Sequence, residues 1–297
     1  MTSSSSSFEI DTYIKRLKEN DITFTALHLN YYQITIDQLN RLIDALKVNT
    51  VLTHLDLRSN QLGDTGAYLI STLLLVNSTI TSLSLDNNQI GNIGVRDIAT
   101  SLLSNSTLTY LNLSFNNIGD IGAHYIVTSL QTNSTLTSLD LGSNEIGDTG
   151  AQHIATSLLS NSTLTLLYLN GNQIRDTGAQ HIFVSLLSNS TLTSLDLGSN
   201  QIGDTGAQHI ATSLLSNSTL TKLYLGSNEI EETGAQHIST SLLSNSTLTD
   251  LYLSSYHLSK YTYKYTKRNK RNTYQKSTTL FGIILSSKFS KKDNKVN

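Results

Sequence analysis

Residues 136–163 read Leu-Thr-Ser-Leu-Asp-Leu-Gly-Ser-Asn-Glu-Ile-Gly-Asp-Thr-Gly-Ala-Gln-His-Ile-Ala-Thr-Ser-Leu-Leu-Ser-Asn-Ser-Thr. Leu136, Leu139 and Leu141 point inward, with a period of two across the last pair, while Ser138, Asp140 and Gly142 face the other way; this is a short strand. At Asn144 one side chain offers two amide donors and an acceptor to backbone groups that a tight turn leaves unpaired. Losing it is expected to cost about 1–3 kcal/mol. Ile146 then closes the core. Gly147–Gln152 starts a helix, for which Asp148 or Thr149 is the expected cap and Thr149 with Gln152 fits a capping box. Ala151, Ile154, Ala155, Leu158 and Leu159 form the expected apolar stripe, and Asn161 suits the left-handed residue that ends the helix.

The same phrase, L-x-x-L-x-L-x-x-N-x-(I/L), sets an asparagine every 28 residues at Asn60, Asn88, Asn116, Asn144, Asn172, Asn200 and Asn228. This column is expected to form a structural amide ladder. Tyr32 and Tyr256 hold the column one unit further out at each end, so nine units run from about Phe24 to Leu258. No unit can bury both its leucine row and its helix stripe alone, so neighbours must stack in register. Strands about 4.8 Å apart on one side and helices about 8–10 Å apart on the other make the stack curve, with the strands on its concave side.

The 297 residues contain no cysteine and no proline, which excludes disulfides, thiolate metal sites and cysteine nucleophiles. Charge is divided: residues 1–255 carry 9 Lys/Arg against 21 Asp/Glu, net −12, and residues 256–297 carry 11 against 1, net +10. Residues 1–23 read as a polar stretch, Ser3–Ser7, followed by a capping helix over Asp11–Asn20 with Ile10, Ile14 and Leu17 on one side. Residues 24–258 form the repeat domain and 259–297 a basic, poorly ordered tail. Its Lys267–Arg271 cluster reads as a solvated run, with a nuclear address, nucleic-acid contact or fold-back onto the acidic body as alternatives. No stretch has the length of a membrane span and Met1–Ser7 lacks the order of a secretory signal, so the expected setting is intracellular and cytoplasmic, or a host cell after delivery. Seven Asn-Ser-Thr triplets, starting at Asn77, Asn105, Asn133, Asn161, Asn189, Asn217 and Asn245, match a glycosylation sequon but read as helix-to-strand turns.

The unit Leu-x-x-Leu-x-Leu-x-x-Asn-x-Ile-Gly-Asp-x-Gly-Ala, at its 28-residue spacing, resembles the ribonuclease-inhibitor subfamily of leucine-rich repeats over 235 of the 297 residues. The resemblance implies an α/β solenoid, a horseshoe with a parallel concave sheet and convex helices. Proteins of this kind include inhibitors of ribonucleases, sensing arms of nucleotide-binding immune receptors, Ran GTPase activators and bacterial effectors acting in host cells. All hold another macromolecule, which implies a non-catalytic protein-binding scaffold. A GTPase activator is an alternative, with Arg58, Arg96 and Arg175 the repeat arginines considered for it. A host-directed effector, or a structural repeat array without a specific ligand, is another.

Tempting sites dissolve on inspection. His153, His181, His209 and His237 share one column on the solvent side of successive helices, and Asp148, His153 and Ser157 recur as a trio in later units. A motif repeated along a surface is scaffold, and no phosphate loop of either common type is present. No enzyme activity, cofactor or metal is expected. Binding residues are sought where outward strand positions depart from serine, glycine and aspartate: Tyr110, Leu166, Tyr168, Lys222, Tyr224 and Tyr252, joined by Phe115 just after its strand. The alternative is that the tyrosines pack only against their cross-strand neighbours. Asp140, Asp196 and Asp250 between them favour a basic protein partner. A small GTPase is the other partner considered; neither nucleic acid nor membrane is expected, and the oligomeric state is open.

Overall fold

A computed structural model of the chain describes residues 3–254, 262–266 and 276–277. Among them, strands β1 (Ala26–His28), β2 (His54–Asp56), β3 (Ser82–Ser84), β4 (Tyr110–Asn112), β5 (Ser138–Asp140), β6 (Leu166–Tyr168), β7 (Ser194–Asp196), β8 (Lys222–Tyr224) and β9 (Asp250–Ser254) follow one another across a single sheet. Each neighbouring pair is parallel and shifted by one repeat, so that Leu139 stands opposite Leu167, and Leu167 opposite Leu195. Helices α1 (Ser3–Lys18), α2 (Ile36–Val48), α3 (Gly63–Leu74), α4 (Asn92–Leu102), α5 (Asp120–Ser129), α6 (Asp148–Leu158), α7 (Asp176–Ser185), α8 (Asp204–Leu214) and α9 (Glu232–Ser241) alternate with the strands. The chain is an α/β leucine-rich-repeat solenoid.

One continuous core fills the space between sheet and helices. In the coil starting at Leu136, the residues Leu136, Leu139, Leu141, Ile146, Ala151, Ile154, Ala155 and Leu158 are all buried. Each large side chain among them contributes roughly 1.5–3 kcal/mol by leaving water. Leu159 does not join them: it is 59 % exposed, as its equivalents Leu103, Leu187 and Leu215 are exposed. The helix ends at Leu158, and at about 100° per residue Leu158 falls roughly 20° from the Ala151 direction whereas Leu159 falls roughly 80° away.

Three sets of side chains tie coil to coil. Asn144 donates through Nδ2 to the carbonyls of Leu113 (3.0 Å), Leu141 and Gly142 (both 3.1 Å), and its Oδ1 accepts from the Ile118 amide at 3.1 Å. Asn60, Asn88, Asn116, Asn172, Asn200 and Asn228 are likewise buried, and each donates to a carbonyl 31 residues earlier. A second ladder runs through the Asn-Ser-Thr triplets. Asn161 Nδ2 donates to the Leu130 carbonyl at 2.7 Å while its Oδ1 accepts from the amides of Thr163 and Leu164. Asn161 is not left-handed, contrary to the expectation from sequence; the left-handed residue of this coil is Ser143, at φ 51°.

The third tie replaces the expected helix caps. Neither Asp148 nor Thr149 caps α6, whose N-cap is Gly147 with no side-chain bond. Asp148 Oδ1 instead accepts from the Arg175 and Gly178 amides, both at 2.8 Å, at the start of α7. Asp120 and Asp176 make the same bonds into α6 and α8. The carboxylate of one coil sits at the positive end of the next helix, where its charge is favoured.

At the amino end α1 covers the first coil with Ile10, Ile14 and Leu17 buried. It spans Ser3–Lys18 rather than Asp11–Asn20, taking the serine stretch into the helix. Tyr32, in the asparagine column, turns toward this helix and donates to Glu9 Oε2 at 2.9 Å. At the other end Tyr256, Leu258 and most of the basic tail, including Lys267–Arg271, lie outside the described residues. Within 259–297 the described stretches are β10 (Thr262–Thr266), antiparallel to β9, and β11 (Lys276–Ser277), antiparallel to β10.

Candidate functional site

The strand positions that alternate with the buried central leucines form two rows on the sheet face turned away from the helices. One row reads Tyr110, Ser138, Leu166, Ser194, Lys222 and Asp250, and the other Asn112, Asp140, Tyr168, Asp196, Tyr224 and Tyr252. Tyr110, Leu166, Tyr168 and Tyr224 are half-buried, Lys222 is exposed, and Tyr252 is 40 % exposed. The strands bring these six into adjacent columns. Phe115 lies beyond its strand at φ 54°, 61 % exposed, set apart from the rows.

Large and small residues alternate along the first row from Tyr110 to Lys222 and along the second from Asp140 to Tyr224, and this gives the face its relief. Ser138 and Ser194 are buried because Tyr110, Leu166 and Lys222 rise on either side of them. Asp196 sits between Tyr168 and Tyr224 in the same way, and Asp140 between Asn112 and Tyr168. Burial pushes the Asp140 carboxyl above its ordinary range; the Gly142 amide, which donates to it, opposes this, and the charges of Asp86 and Asp196 add to it. Asp196 is also pushed up by burial, against the opposing Gly198 amide. Burial, followed by the Asp140 charge, raises the phenols of Tyr110 and Tyr168. No described cation pairs with Asp140 or Asp196.

These two carboxyls oppose folding at neutral pH. Only between the ordinary value of 3.8 and the higher folded pKa does the folded chain bind protons that the unfolded chain has released, so their effect favours stability below 3.8 and is lost as pH rises through the folded pKa. Asp140→Asn with Asp196→Asn keeps the Oδ1 acceptors for Gly142 and Gly198. The double variant is expected to melt above the parent at pH 7, with the gap closing as pH falls toward 4. Circular dichroism melts across that range check it, and equal midpoints at pH 7 contradict it.

The other sequence candidates are accounted for by local bonding. Arg58 holds Asp56 through Nε at 3.0 Å, Arg96 holds Asp97, and Arg175 Nε donates to Gln201 Oε1. Ser157 donates to the Ile154 carbonyl and Asp148 is engaged at α7, so the trio with His153 is not a connected relay. His153 instead meets His124 of the previous coil, ring centroids 4.4 Å apart. Among the described residues no group of three or more His, Asp or Glu side chains is arranged to hold a metal ion, and no helix is long and apolar enough to cross a membrane. Sequence reading passed over Ser138, whose depth depends on what stands opposite it one repeat away on each side.

Comparison with known proteins finds leucine-rich repeats along the chain. A model of the TMOD/LMOD leucine-rich domain matches residues 6–116, one leucine-rich-repeat model matches 132–155, 160–183, 188–211 and 216–239, and another matches 107–127. No curated protein matches the chain. Among solved structures, leiomodin-1 actin-binding site 2 is 22 % identical, covering 79 % of this chain and 88 % of that one at a TM-score of 0.28. Internalin C2 of Listeria monocytogenes is 23 % identical over 74 % and 84 % at 0.48, and pollen receptor kinase 3 is 20 % identical over 56 % and 68 % at 0.34. The 28-residue coil of one strand and one helix, its asparagine rungs, and repeat models matching between residues 6 and 239 make this chain a leucine-rich-repeat protein.

Proposed function

We propose that the chain is a non-catalytic scaffold of the ribonuclease-inhibitor-like kind that holds a protein partner against the inner face of its sheet. Tyr110, Leu166, Tyr168, Lys222, Tyr224 and Tyr252 are the principal contacts, with Phe115 at the margin. The observation that carries this reading is the gathering of half-exposed aromatic and apolar side chains on strands β4, β6, β8 and β9, whose backbones are fixed on both sides by register. Rigid anchors of this type lose little side-chain freedom on binding and supply most of the energy of protein recognition. A helix of 10–13 residues in each coil from α2 to α9 supports the subfamily assignment.

The proposed setting is intracellular. The asparagine of each of the seven Asn-Ser-Thr triplets is buried, and its Nδ2, the atom that glycosylation would modify, donates to the carbonyl 31 residues earlier. A glycan there is incompatible with the stacked coils. For binding, affinity capture from native lysate with the parent and with Tyr168→Ala/Tyr224→Ala/Tyr252→Ala is the test. The triple variant is expected to keep its circular dichroism spectrum and to lose the principal partner, with affinity lowered at least about 100-fold. Unchanged capture by the folded variant rejects this surface.

A further inference from the structure

Ser138 differs from the other described polar side chains. It is only 6 % exposed, and its hydroxyl is buried without any hydrogen-bond partner. An unpaired hydroxyl in such a place costs stability unless something visits it. Alternation with the core residue Leu139 puts Ser138 on the inner face, between Tyr110 on β4 and Leu166 on β6. Asp140 follows on the same face of the same strand, beside Tyr168. Its Oδ1 accepts the Gly142 amide at 2.8 Å, and no described cation neutralises it.

Together these residues make a closed notch, its hydroxyl buried between Tyr110 and Leu166 and its carboxylate beside the Tyr168 ring. We propose that it seats an arginine side chain from a basic segment of the partner protein. This rests on the reading of the inner face as the protein-binding surface and specifies what that surface selects. A guanidinium is flat and weakly hydrated, and it presents several N–H donors in a fixed fork. One donor reaches Asp140 and another reaches Ser138 once the guest parts Tyr110 and Leu166, while the cation lies against the tyrosine rings. A lysine ammonium is a compact, strongly hydrated charge that gains less from flat walls and gives up more water. Charge complementarity favours the same guest: residues 1–255 are net −12, and Asp86 and Asp196 flank Asp140 closely enough to raise its carboxyl. A nearby guanidinium relieves that repulsion.

The test is fluorescence anisotropy with the full chain and labelled hexa-arginine or hexa-lysine at physiological salt. Hexa-arginine is expected to bind about tenfold more tightly than hexa-lysine. Asp140→Asn is expected to weaken hexa-arginine about tenfold and Ser138→Ala about threefold, while Asp37→Asn on the exposed face of α2 changes nothing. Equal binding of the two peptides, or hexa-arginine binding indifferent to both notch substitutions, overturns the proposal, as does no binding at all. A monomer-to-dimer equilibrium in sedimentation that Asp140→Asn abolishes assigns the notch to a second copy and overturns it too. Loss of the captured partner in the tyrosine variant alongside absent hexa-arginine binding leaves the scaffold reading standing and removes only the notch.

Discussion

Asn144→Ala is expected to lower the stability of the folded chain by about 3 kcal/mol, a fall in thermal midpoint of about 6–12 °C for a domain of this size. The side chain makes four hydrogen bonds, three as donor and one as acceptor. The carbonyls of Leu113 and Leu141 have second donors in Asn116 and Asn172, so the loss is shared there. The amide of Ile118 is not covered in this way: beside a fully buried side chain, it loses the acceptor that Asn144 provides. That orphaned donor accounts for most of the cost, and because Ile118 belongs to the preceding coil, the damage falls on the junction between units. In a linear array each unit is held only by its neighbours, so a weakened central junction uncouples the two halves. Melting is expected to broaden or split, whereas Asn60→Ala near one end only frays it. A calorimetric midpoint within 2 °C of the parent contradicts this account.

The fold was legible because its period is legible. Leu139, Leu141 and Ile146 recur in phase through the repeats, and a 28-residue repeat of strand and helix patterns admits little besides a stacked coil. What escaped the sequence is everything in which one coil completes another. Asp148 looks like a cap for the helix it begins, and only the stacking shows that its carboxylate reaches the start of α7, 27 and 30 residues on. Asn161 looks like a helix terminator, yet its amide is spent on a carbonyl 31 residues back. Leu159 looks like core because it continues the apolar spacing of Ala151, Ile154, Ala155 and Leu158, although its direction lies roughly 80° from that of Ala151 and it stays exposed. The outward rows of the inner face follow from alternation alone, so Tyr168 and Tyr224 were visible as outward residues. The depth of Ser138 was not, because it is decided by Tyr110 and Leu166, each one repeat away.

Gly206→Ala tests the coil-to-coil carboxylate directly, because its expected sign is opposite to the usual one. Glycine to alanine within a helix ordinarily gains up to about 1 kcal/mol. Gly206 stands in the first turn of α8 with ordinary helical geometry, yet an added Cβ would lie 2.6 Å from Asp176 Oδ1, 2.6 Å from Ile202 Cγ2 and 3.1 Å from Asp176 Cα. The backbone contact cannot swing away, so α8 must retreat from α7 and lengthen the 2.9 Å bond from the Gly206 amide to Asp176. Overpacking of this kind, with a weakened charge-assisted bond, is expected to cost about 2–4 kcal/mol. Gly203→Ala is the matched control: it donates to the same Asp176 oxygen, but its Cβ would come no closer than 3.5 Å, and Arg175 and Glu231 occupy the same position in α7 and α9. It is expected to stay within about 0.5 kcal/mol of the parent. A double-mutant cycle with Asp176→Ala separates the contributions, since removing the carboxylate abolishes the Oδ1 collision but leaves Ile202 and the Asp176 backbone in place. The two substitutions are therefore expected to be less than additive by about 1 kcal/mol, and full additivity in urea titrations contradicts the carboxylate as the obstacle.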